Sequence, residues 1–289
     1  MNYRSIKQLT SLLVKHLDKI PSDTDAIVGV PRSGMLVADI LGLHLTLPVV
    51  TVGDVCGVQP IEVGKRMHFD AQARTEFLQS PRKLLVVDDA CGTGGTLKSV
   101  RQLFAGAPHV IAHTYKYFVP YVTEGGERWV DIWLEQLDKP RFFEWNWVSN
   151  IFLQTACIDI DGVLCRDPNN NECDEESGGE RYKHFLLNVP RLRRLRQPLG
   201  TLVTNRLERW RNETTTWLAA HKIQYKKLVM MPFETVRERK QYGHARFKAE
   251  QYKKHGGSAF IESSWKQAVE IRRLTKMPVF CIETMELHG

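Results

Sequence analysis

The most informative run in this chain is LLVVDDACGTGGTL, residues 84–97. Its apolar residues predict a buried β-strand, which ends in Asp88 and Asp89 and leads into a glycine-rich turn and a helix. Glycines in such a turn let backbone N–H groups approach a phosphate, and the helix N-terminus and the hydroxyls of Thr93 and Thr96 add further attraction. The run therefore predicts a monophosphate site at the carboxyl end of a strand, where α/β sheets bind their ligands.

Outward from this run, short apolar segments alternate with segments of helix length. Strands are predicted at 26–30, 47–52, 83–87 and 110–117, and a second series follows at 154–158, 199–203, 227–231, 259–261 and 278–282. This alternation is typical of mainly parallel sheets in α/β folds. We therefore expect two three-layer α/β domains, 1–150 and 151–289, with the boundary near Asn150.

Composition and charge limit the class of protein. The 289 residues are 43% hydrophobic and 25% charged, which excludes a disordered chain. The absence of an apolar run of about 18 residues and of a secretory signal pattern predicts a cytoplasmic protein without a membrane partner. Residues 1–150 carry 16 basic and 16 acidic groups, whereas 151–289 carry 24 and 17. The excess favours phosphorylated or polyanionic ligands in the second half, although a solvated basic surface explains it equally well.

Strand, paired acids and TGGT turn together resemble the type I phosphoribosyltransferases, which hold the 5′-phosphate of phosphoribosyl pyrophosphate in this way. A second run, GVPRSGMLVADILGL at 29–43, is similar to the pyrophosphate-binding loop of that family. The resemblance implies that Arg32 contacts the diphosphate and that Ser33 and Gly34 offer backbone donors. The phosphate loop that it implies comprises Cys91, Gly92, Thr93, Gly94, Gly95 and Thr96.

The same resemblance implies roles for further charged residues of the first half. Asp88 and Asp89 would hold ribose hydroxyls, directly or through Mg²⁺, and would take part in catalysis. Lys65 and Arg66 lie where family members carry a mobile catalytic loop, with plain surface charge as the alternative interpretation.

The base-binding end resembles that of the bacterial xanthine-guanine phosphoribosyltransferases. It combines Lys116 with the aromatic run FFEWNW at 142–147. The resemblance implies that Lys116 bonds an exocyclic oxygen of a purine and that Phe142 stacks on its ring. Stacking suits any base, and the tryptophans of this region could equally well only pack a core.

A second site is predicted by CIDIDGVLC, residues 157–165. In an extended segment Asp159 and Asp161 point the same way, so that one can attack phosphorus while the other exchanges protons. The run resembles motif I of the haloacid dehalogenase superfamily, whose first Asp forms an aspartyl-phosphate and whose second protonates the leaving group. The second Asp implies phosphatase chemistry rather than dehalogenation.

Two later runs are similar to further motifs of that superfamily. LVTNR, residues 202–206, implies that Thr204 binds the transferring phosphoryl group, with Asn205 beside it as a phosphate ligand. Motif III requires a lysine that offsets charge between nucleophile and phosphate. Lys248 is assigned to it, with Lys240 as the alternative.

Motif IV departs from the family pattern. Family members usually carry two acids after the fourth strand, whereas this chain has Glu262 followed by Ser263. The implied Mg²⁺ ligands are Asp159, the backbone carbonyl of Asp161, and Glu262. The single acid predicts weaker metal binding or a lost activity.

The rest of the second half offers little room for a cap. Residues 167–180 are acidic and rich in Asn and Gly, which predicts an exposed loop, and only about 40 residues separate the first two motifs. The resemblance therefore implies a haloacid dehalogenase-like Rossmannoid fold with a minimal cap. Arg206 and Arg209, expected on the helix after the second motif, would face either phosphate or solvent.

Together these features predict a bifunctional enzyme. Its first domain would transfer a phosphoribosyl group between phosphoribosyl pyrophosphate and a purine-like base with Mg²⁺, and its second would hydrolyse a phosphomonoester, such as the nucleotide product. Two alternatives stay open: a sensor that binds phosphoribosyl pyrophosphate or a nucleotide without turnover, and a phosphatase acting on nucleic-acid ends. Small-molecule substrates are favoured over nucleic acid as partners. A homodimer is possible, because transferases of the family that the first half resembles are commonly dimers.

Overall fold

The computed structural model describes residues 1–57, 77–106 and 113–289. The chain divides into two compact units, Asn2–Arg141 and Phe142–Gly289. The division precedes the boundary expected near Asn150, because the aromatic run after Arg141 belongs to the second core. There the rings of Phe142 and Trp147 lie 5.2 and 5.7 Å from that of Phe280.

The first unit is built on a mainly parallel sheet. Its strands are β1 Asn2–Arg4, β2 Ala26–Gly29, β3 Val49–Thr51, β4 Lys83–Val87, β5 Ala90–Cys91, β6 Thr114–Val122 and β7 Ile132–Gln136, and β8 Arg141–Phe143 follows at the division. Its helices are α1 Ile6–Lys15, α2 Ser33–Leu45, α3 Val52–Val55 and α4 Gly95–Gly106. The sheet order is β3-β2-β4-β6-β5, with β7 paired to β6, and these pairs are parallel.

The second unit repeats this architecture. Its strands are β9 Cys157–Ile158, β10 Leu199–Leu207, β11 Tyr225–Met231, β12 Phe260–Glu262, β13 Val279–Cys281 and β14 Glu286–His288. Its helices are α5 Glu180–Asn188, α6 Arg211–Ala220, α7 Val236–Tyr242, α8 His244–His255 and α9 Trp265–Thr275. The order is β11-β10-β9-β12-β13-β14, with only the β13–β14 pair antiparallel.

The expected α/β class with mainly parallel sheets is confirmed. The apolar runs form strands because their Val, Ile and Leu side chains are buried on both faces, as in β4, where Leu84 to Val87 are all buried. In both units the central strand ends in aspartates. Across the described residues, no helix combines the length and the apolar character needed to cross a bilayer.

Candidate active sites

In the first unit the two predicted loops meet at the carboxyl end of β4. The N–H of Val30 donates to the carbonyl of Val87 at 2.9 Å. A Cβ added to Gly34 would lie 2.5 Å from that carbonyl oxygen and 3.0 Å from Cα of Asp88. Only glycine allows this approach, so the Arg32–Ser33 turn that starts α2 lies beside the acidic pair. The Pro31–Arg32 peptide bond in this turn is cis.

The acidic pair is electrostatically strained. Asp88 is buried, and one of its carboxyl oxygens accepts the N–H of Asp89 at 2.8 Å. Burial and the neighbouring Asp89 carboxylate raise the pKa of Asp88 to about 8. Burial lowers the pKa of Arg141, and the Asp89 carboxylate is the largest influence that opposes this shift, so the Arg141 guanidinium, which was not predicted as a site residue, interacts electrostatically with Asp89. The site can therefore hold a proton, a hydroxyl or a cation at Asp88.

The glycine-rich turn is packed on one side and open on the other. Gly94 has φ +74°, and a Cβ there would lie 2.4 Å from the Trp129 ring. The Lys98 ammonium lies 3.9 Å from the centre of the same ring. Thr93, Gly95 and Thr96 are exposed. The open side therefore offers hydroxyls and backbone N–H groups to a ligand, while Trp129 covers the other. Sequence reasoning gave this tryptophan no role beyond packing.

The two residues assigned to the base are placed elsewhere. Lys116 is exposed and pairs in register with Leu85, toward the amino end of the sheet. Lys116 is the third residue of β6, so it lies beside the middle of β4 and not beside the Asp88–Asp89 pair. Phe142 is fully buried and packs 4.6 Å from the Phe152 ring, so it exposes no face for stacking. This burial contradicts the stacking role predicted for Phe142, whereas the role of Lys116 stays a prediction.

Cys91 and Gly92 are the first two residues of the predicted phosphate loop. Cys91 is buried beneath the turn, and Gly92 lies near Thr123, whose Oγ1 would be 3.2 Å from an added Cβ. Lys65 and Arg66 lie outside the described residues.

In the second unit one buried lysine binds two carboxylates. The Lys248 ammonium donates to Asp159 at 2.6 Å, to Glu262 at 2.7 Å and to the side-chain oxygen of Gln267 at 3.0 Å. Burial opposes the lysine's charge, but Asp159 and Glu262 raise the pKa of Lys248 above its ordinary value. Burial also raises the pKa of Asp159, against the lysine's attraction. Lys248, and not Lys240, thus lies beside the predicted nucleophile.

Asp161 is held by an arginine that the sequence placed on a helix. Arg206 belongs to β10, is fully buried, and reaches both oxygens of Asp161, the shortest contact being 2.6 Å. Its other terminal nitrogen donates to Thr214 at 3.3 Å. Such a two-pronged contact fixes a carboxylate in position. Arg206 therefore orients Asp161 and is shielded from solvent.

A cavity of about 200 Å³ opens above these groups. Asn205 lines it and donates to Gln267 at 3.4 Å. Thr204 is fully buried, and its hydroxyl oxygen accepts the N–H of Arg206 at 3.2 Å. The charged and amide side chains around the cavity include Asp159, Asp161, Asp167, Asn205, Arg206, Lys248 and Gln267. Of the two motif II residues, Asn205 is thus the better placed to contact a ligand in the cavity. Gln267 and Asp167 also line the cavity, although no local sequence motif indicates them.

The residues assigned to Mg²⁺ do not form the expected set. Lys248 takes the position between Asp159 and Glu262, and the other oxygen of Glu262 accepts the N–H groups of Ser263 and Ser264 at 2.9 and 3.1 Å. The carbonyl of Asp161 accepts the Ser263 hydroxyl at 3.2 Å. Within the ranges described above, three acidic, His or Cys side chains nowhere come close enough to hold a metal. Asp159 and Glu262 are thus already bound to an ammonium, and Mg²⁺ binding by this set stays a prediction.

The acidic run 167–180 is mostly exposed, as expected, but a few of its residues, among them Asp167 and Glu175, also line the cavity. Glu175 is buried and binds both terminal nitrogens of Arg239, at 2.7 and 3.2 Å, and the indole N–H of Trp210 at 3.1 Å. The backbone carbonyl of Glu175 accepts a hydrogen bond from the Arg209 guanidinium, which therefore points away from the site. Buried Asp174 accepts the N–H of Tyr182 at 2.9 Å. These distant partners could not be read from a polar, Asn-rich run.

Comparison with known proteins bears on the first unit. Residues 2–115 match the family described as phosphoribosyl transferase domain. Two adenine phosphoribosyltransferases of Bifidobacterium longum, from strains NCC 2705 and DJO10A, are each 27% identical over 109 residues. The alignment covers 36% of this chain and 56% of each relative, so the chain spans about half the length of these curated proteins.

The solved structures that match this chain include two phosphoribosyltransferases. A purine phosphoribosyltransferase from Pyrococcus horikoshii is 21% identical with a TM-score of 0.35, and covers 50% of this chain and 92% of its own. A xanthine-guanine-hypoxanthine phosphoribosyltransferase from Helicobacter pylori is 19% identical with the same TM-score and coverage.

Proposed function

We propose that the first unit transfers a phosphoribosyl group between phosphoribosyl pyrophosphate and a purine-like base. The observation that carries this proposal is the convergence of the Arg32–Ser33 turn and the Asp88–Asp89 pair at one sheet edge, followed directly by the open face of the glycine-rich turn. A diphosphate, a ribose and a 5′-phosphate require these three kinds of group. The match of residues 2–115 to the phosphoribosyl transferase domain supports the same activity.

The chemistry is a displacement at the anomeric carbon. The bond to pyrophosphate breaks, a bond to the base nitrogen forms, and positive charge develops on the ribose in between. Carboxylates beside the ribose stabilise that charge, and the Arg32 guanidinium holds the departing diphosphate. Mg²⁺ bound with the diphosphate would supply further charge neutralisation, and Asp88 and Asp89 carry the oxygen ligands that it prefers.

The test is pyrophosphate release from phosphoribosyl pyrophosphate and Mg²⁺ with a panel of purine and pyrimidine bases. We expect release with a purine, at least about 100-fold less release with Asp88→Asn/Asp89→Asn, and unchanged release with the exposed control Asp18→Asn. Tight binding of phosphoribosyl pyrophosphate without release with any base would refute catalysis and support the sensor.

We propose further that the second unit is a phosphatase of the haloacid dehalogenase type. The supporting observation is the buried Asp159–Lys248 pair beside an Asp161 fixed by Arg206, all at the wall of one cavity. Asp159 attacks phosphorus and the ester bond breaks, while Asp161, after taking up a proton from solvent, passes it to the leaving oxygen. Water then cleaves the aspartyl-phosphate. Lys248 offsets the negative charge that the phosphate brings toward Asp159.

Hydrolysis of p-nitrophenyl phosphate and of nucleoside monophosphates tests this activity. We expect phosphate release that is abolished in Asp159→Asn, and a covalent phosphate on Asp159 detectable by mass spectrometry after acid quench. The exposed control Glu270→Gln should behave as wild type. Equal phosphate release from Asp159→Asn and wild type would exclude Asp159 as the nucleophile.

The two activities would be coupled if the nucleotide formed by the first unit is the substrate of the second. Hydrolysis of the product would make the sequence of reactions irreversible. With base and phosphoribosyl pyrophosphate, wild type should then accumulate nucleoside and Asp159→Asn the nucleotide. Accumulation of nucleotide alone by an enzyme active on p-nitrophenyl phosphate would contradict the coupling.

A further inference from the structure

An arginine-rich segment of the second unit lines a separate cavity. This cavity has a volume of about 130 Å³, and its wall contains four permanent cations and no acidic residue. The cations are Arg191, Arg193, Arg196 and Lys222. Three of them, all except Arg193, are exposed and accessible to a ligand.

The segment is fixed to its surroundings through its backbone and Arg193. The Arg193 guanidinium donates to the carbonyl of Val163 at 2.6 Å and lies 5.6 Å from the Trp147 ring. The N–H of Leu192 donates to Leu164 at 2.8 Å, next to the Asp159–Asp161 turn. The exposed guanidiniums are therefore presented by an anchored chain and not by a free loop.

These cations differ from half of the 14 arginines of the same unit. In the described part of the chain none of the four pairs with a carboxylate. Seven other arginines of the unit do, namely Arg166, Arg181, Arg206, Arg211, Arg239, Arg246 and Arg273. Unpaired like charges around one concavity repel one another, and an anion that bridges them removes that repulsion.

We propose that this cationic cavity, lined by Arg191, Arg193, Arg196 and Lys222, binds the phosphodiester backbone of a nucleic-acid strand. Guanidinium groups match phosphate oxygens in geometry as well as charge. Arg191, Arg196 and Lys222 line the same cavity, so phosphates of one strand can contact more than one of these cations. Apolar residues, amide residues and His221 complete the wall, so no acidic side chain repels a polyanion there. The inference does not depend on either proposed activity.

The test is fluorescence anisotropy of a labelled 12-residue oligothymidylate with hydroxyl ends, titrated with the full chain over a range of salt. The variant Arg191→Gln/Arg196→Gln/Lys222→Gln removes three charges from the cavity. The matched control Arg211→Gln/Arg246→Gln/Arg273→Gln removes three exposed charges elsewhere and changes the net charge equally. The slope of log affinity against log salt is negative, and we expect it to be less steep by about 2 in the cavity variant. The affinity at low salt should fall about tenfold or more.

Two results would overturn the proposal. Equal losses in the cavity variant and the matched control would show that affinity follows net charge alone. Full competition by inorganic phosphate at concentrations close to those of the oligonucleotide phosphates would show a site for a free phosphate instead. Hydrolysis of p-nitrophenyl phosphate by the cavity variant is measured in parallel, so that a failure of the phosphatase proposal can be distinguished from a failure of the oligonucleotide-binding proposal.

Discussion

Replacing Lys248 with methionine should strongly destabilise the second unit. The ammonium is 1% exposed and lies 2.6 and 2.7 Å from two carboxylates that are themselves 6% and 0% exposed. Methionine fills a similar volume without the charge, and it leaves Asp159 and Glu262 facing each other without a counter-ion. Removing one partner of a buried ion pair typically costs about 3–5 kcal/mol, because the remaining charge is neither solvated nor paired.

Urea unfolding followed by circular dichroism measures this loss. With a slope of about 2 kcal/mol per M, a loss of about 4 kcal/mol lowers the midpoint by about 2 M. Lys240→Met, at an exposed position, should change the free energy of unfolding by less than about 0.5 kcal/mol. Asp159→Asn/Lys248→Met/Glu262→Gln, which removes all three charges, should recover more than half of the loss.

The pH dependence of the Lys248→Met deficit provides a second check. Burial already raises the pKa of Asp159, and loss of the ammonium raises it further. A carboxyl with a raised pKa in the folded state favours folding while protonated and loses that contribution as the pH rises. The deficit should therefore shrink at acidic pH. A variant within 1 kcal/mol of wild type at pH 8, or a deficit that grows on acidification, would refute the buried-pair argument.

Three further perturbations test other parts of the two sites. Gly94→Ala must adopt φ +74° with its Cβ 2.4 Å from an indole ring, so we expect a loss of about 2 kcal/mol or more, whereas Gly106→Ala, with nothing within 4 Å, should cost little. Equal changes in thermal unfolding would contradict this. Asp88, with its pKa raised to about 8, favours folding below about pH 4 and loses that contribution as the pH rises through 8. In chelator, Asp88→Asn should therefore be the more stable protein at pH 9, and a wild-type stability that does not fall between pH 5 and 9 would exclude the raised pKa. Arg206→Lys keeps the charge but loses the two-pronged contact with Asp161, so kcat for phosphate release should fall about tenfold, and an unchanged kcat would remove Arg206 as a positioning residue.

Strand positions were predictable wherever both faces of a strand are buried. The segments 83–87 and 199–203 predict β4 and the first part of β10 because their apolar residues have no polar alternation. Short or half-exposed strands such as β1, β7 and β14 were not predicted, since their pairing depends on neighbours far away in sequence. For a related reason, the structure divides the chain after Arg141 and not near Asn150, where the boundary was predicted. The aromatic run from Phe142 was assigned to the first domain, but its rings complete the second core.

By itself, the sequence determined which chemical groups follow the central strands. Asp88, Asp89, Asp159 and Asp161 lie at strand ends because apolar runs stop there, and the glycines after Asp89 permit a turn that other residues would strain. These are local properties, set by hydrophobic pattern and backbone sterics, and they can therefore be predicted from a single sequence.

The tertiary structure decided which groups face one another. The partners Lys248 for Asp159, Arg206 for Asp161, Trp129 for Gly94 and Arg239 for Glu175 are separated by 35 to 89 residues in sequence. The position of Lys116 beside the middle of β4 and the burial of Phe142 depend in the same way on register and packing. Ionic and aromatic contacts act over a few ångströms in space, and only the packed chain brings such distant residues within that range.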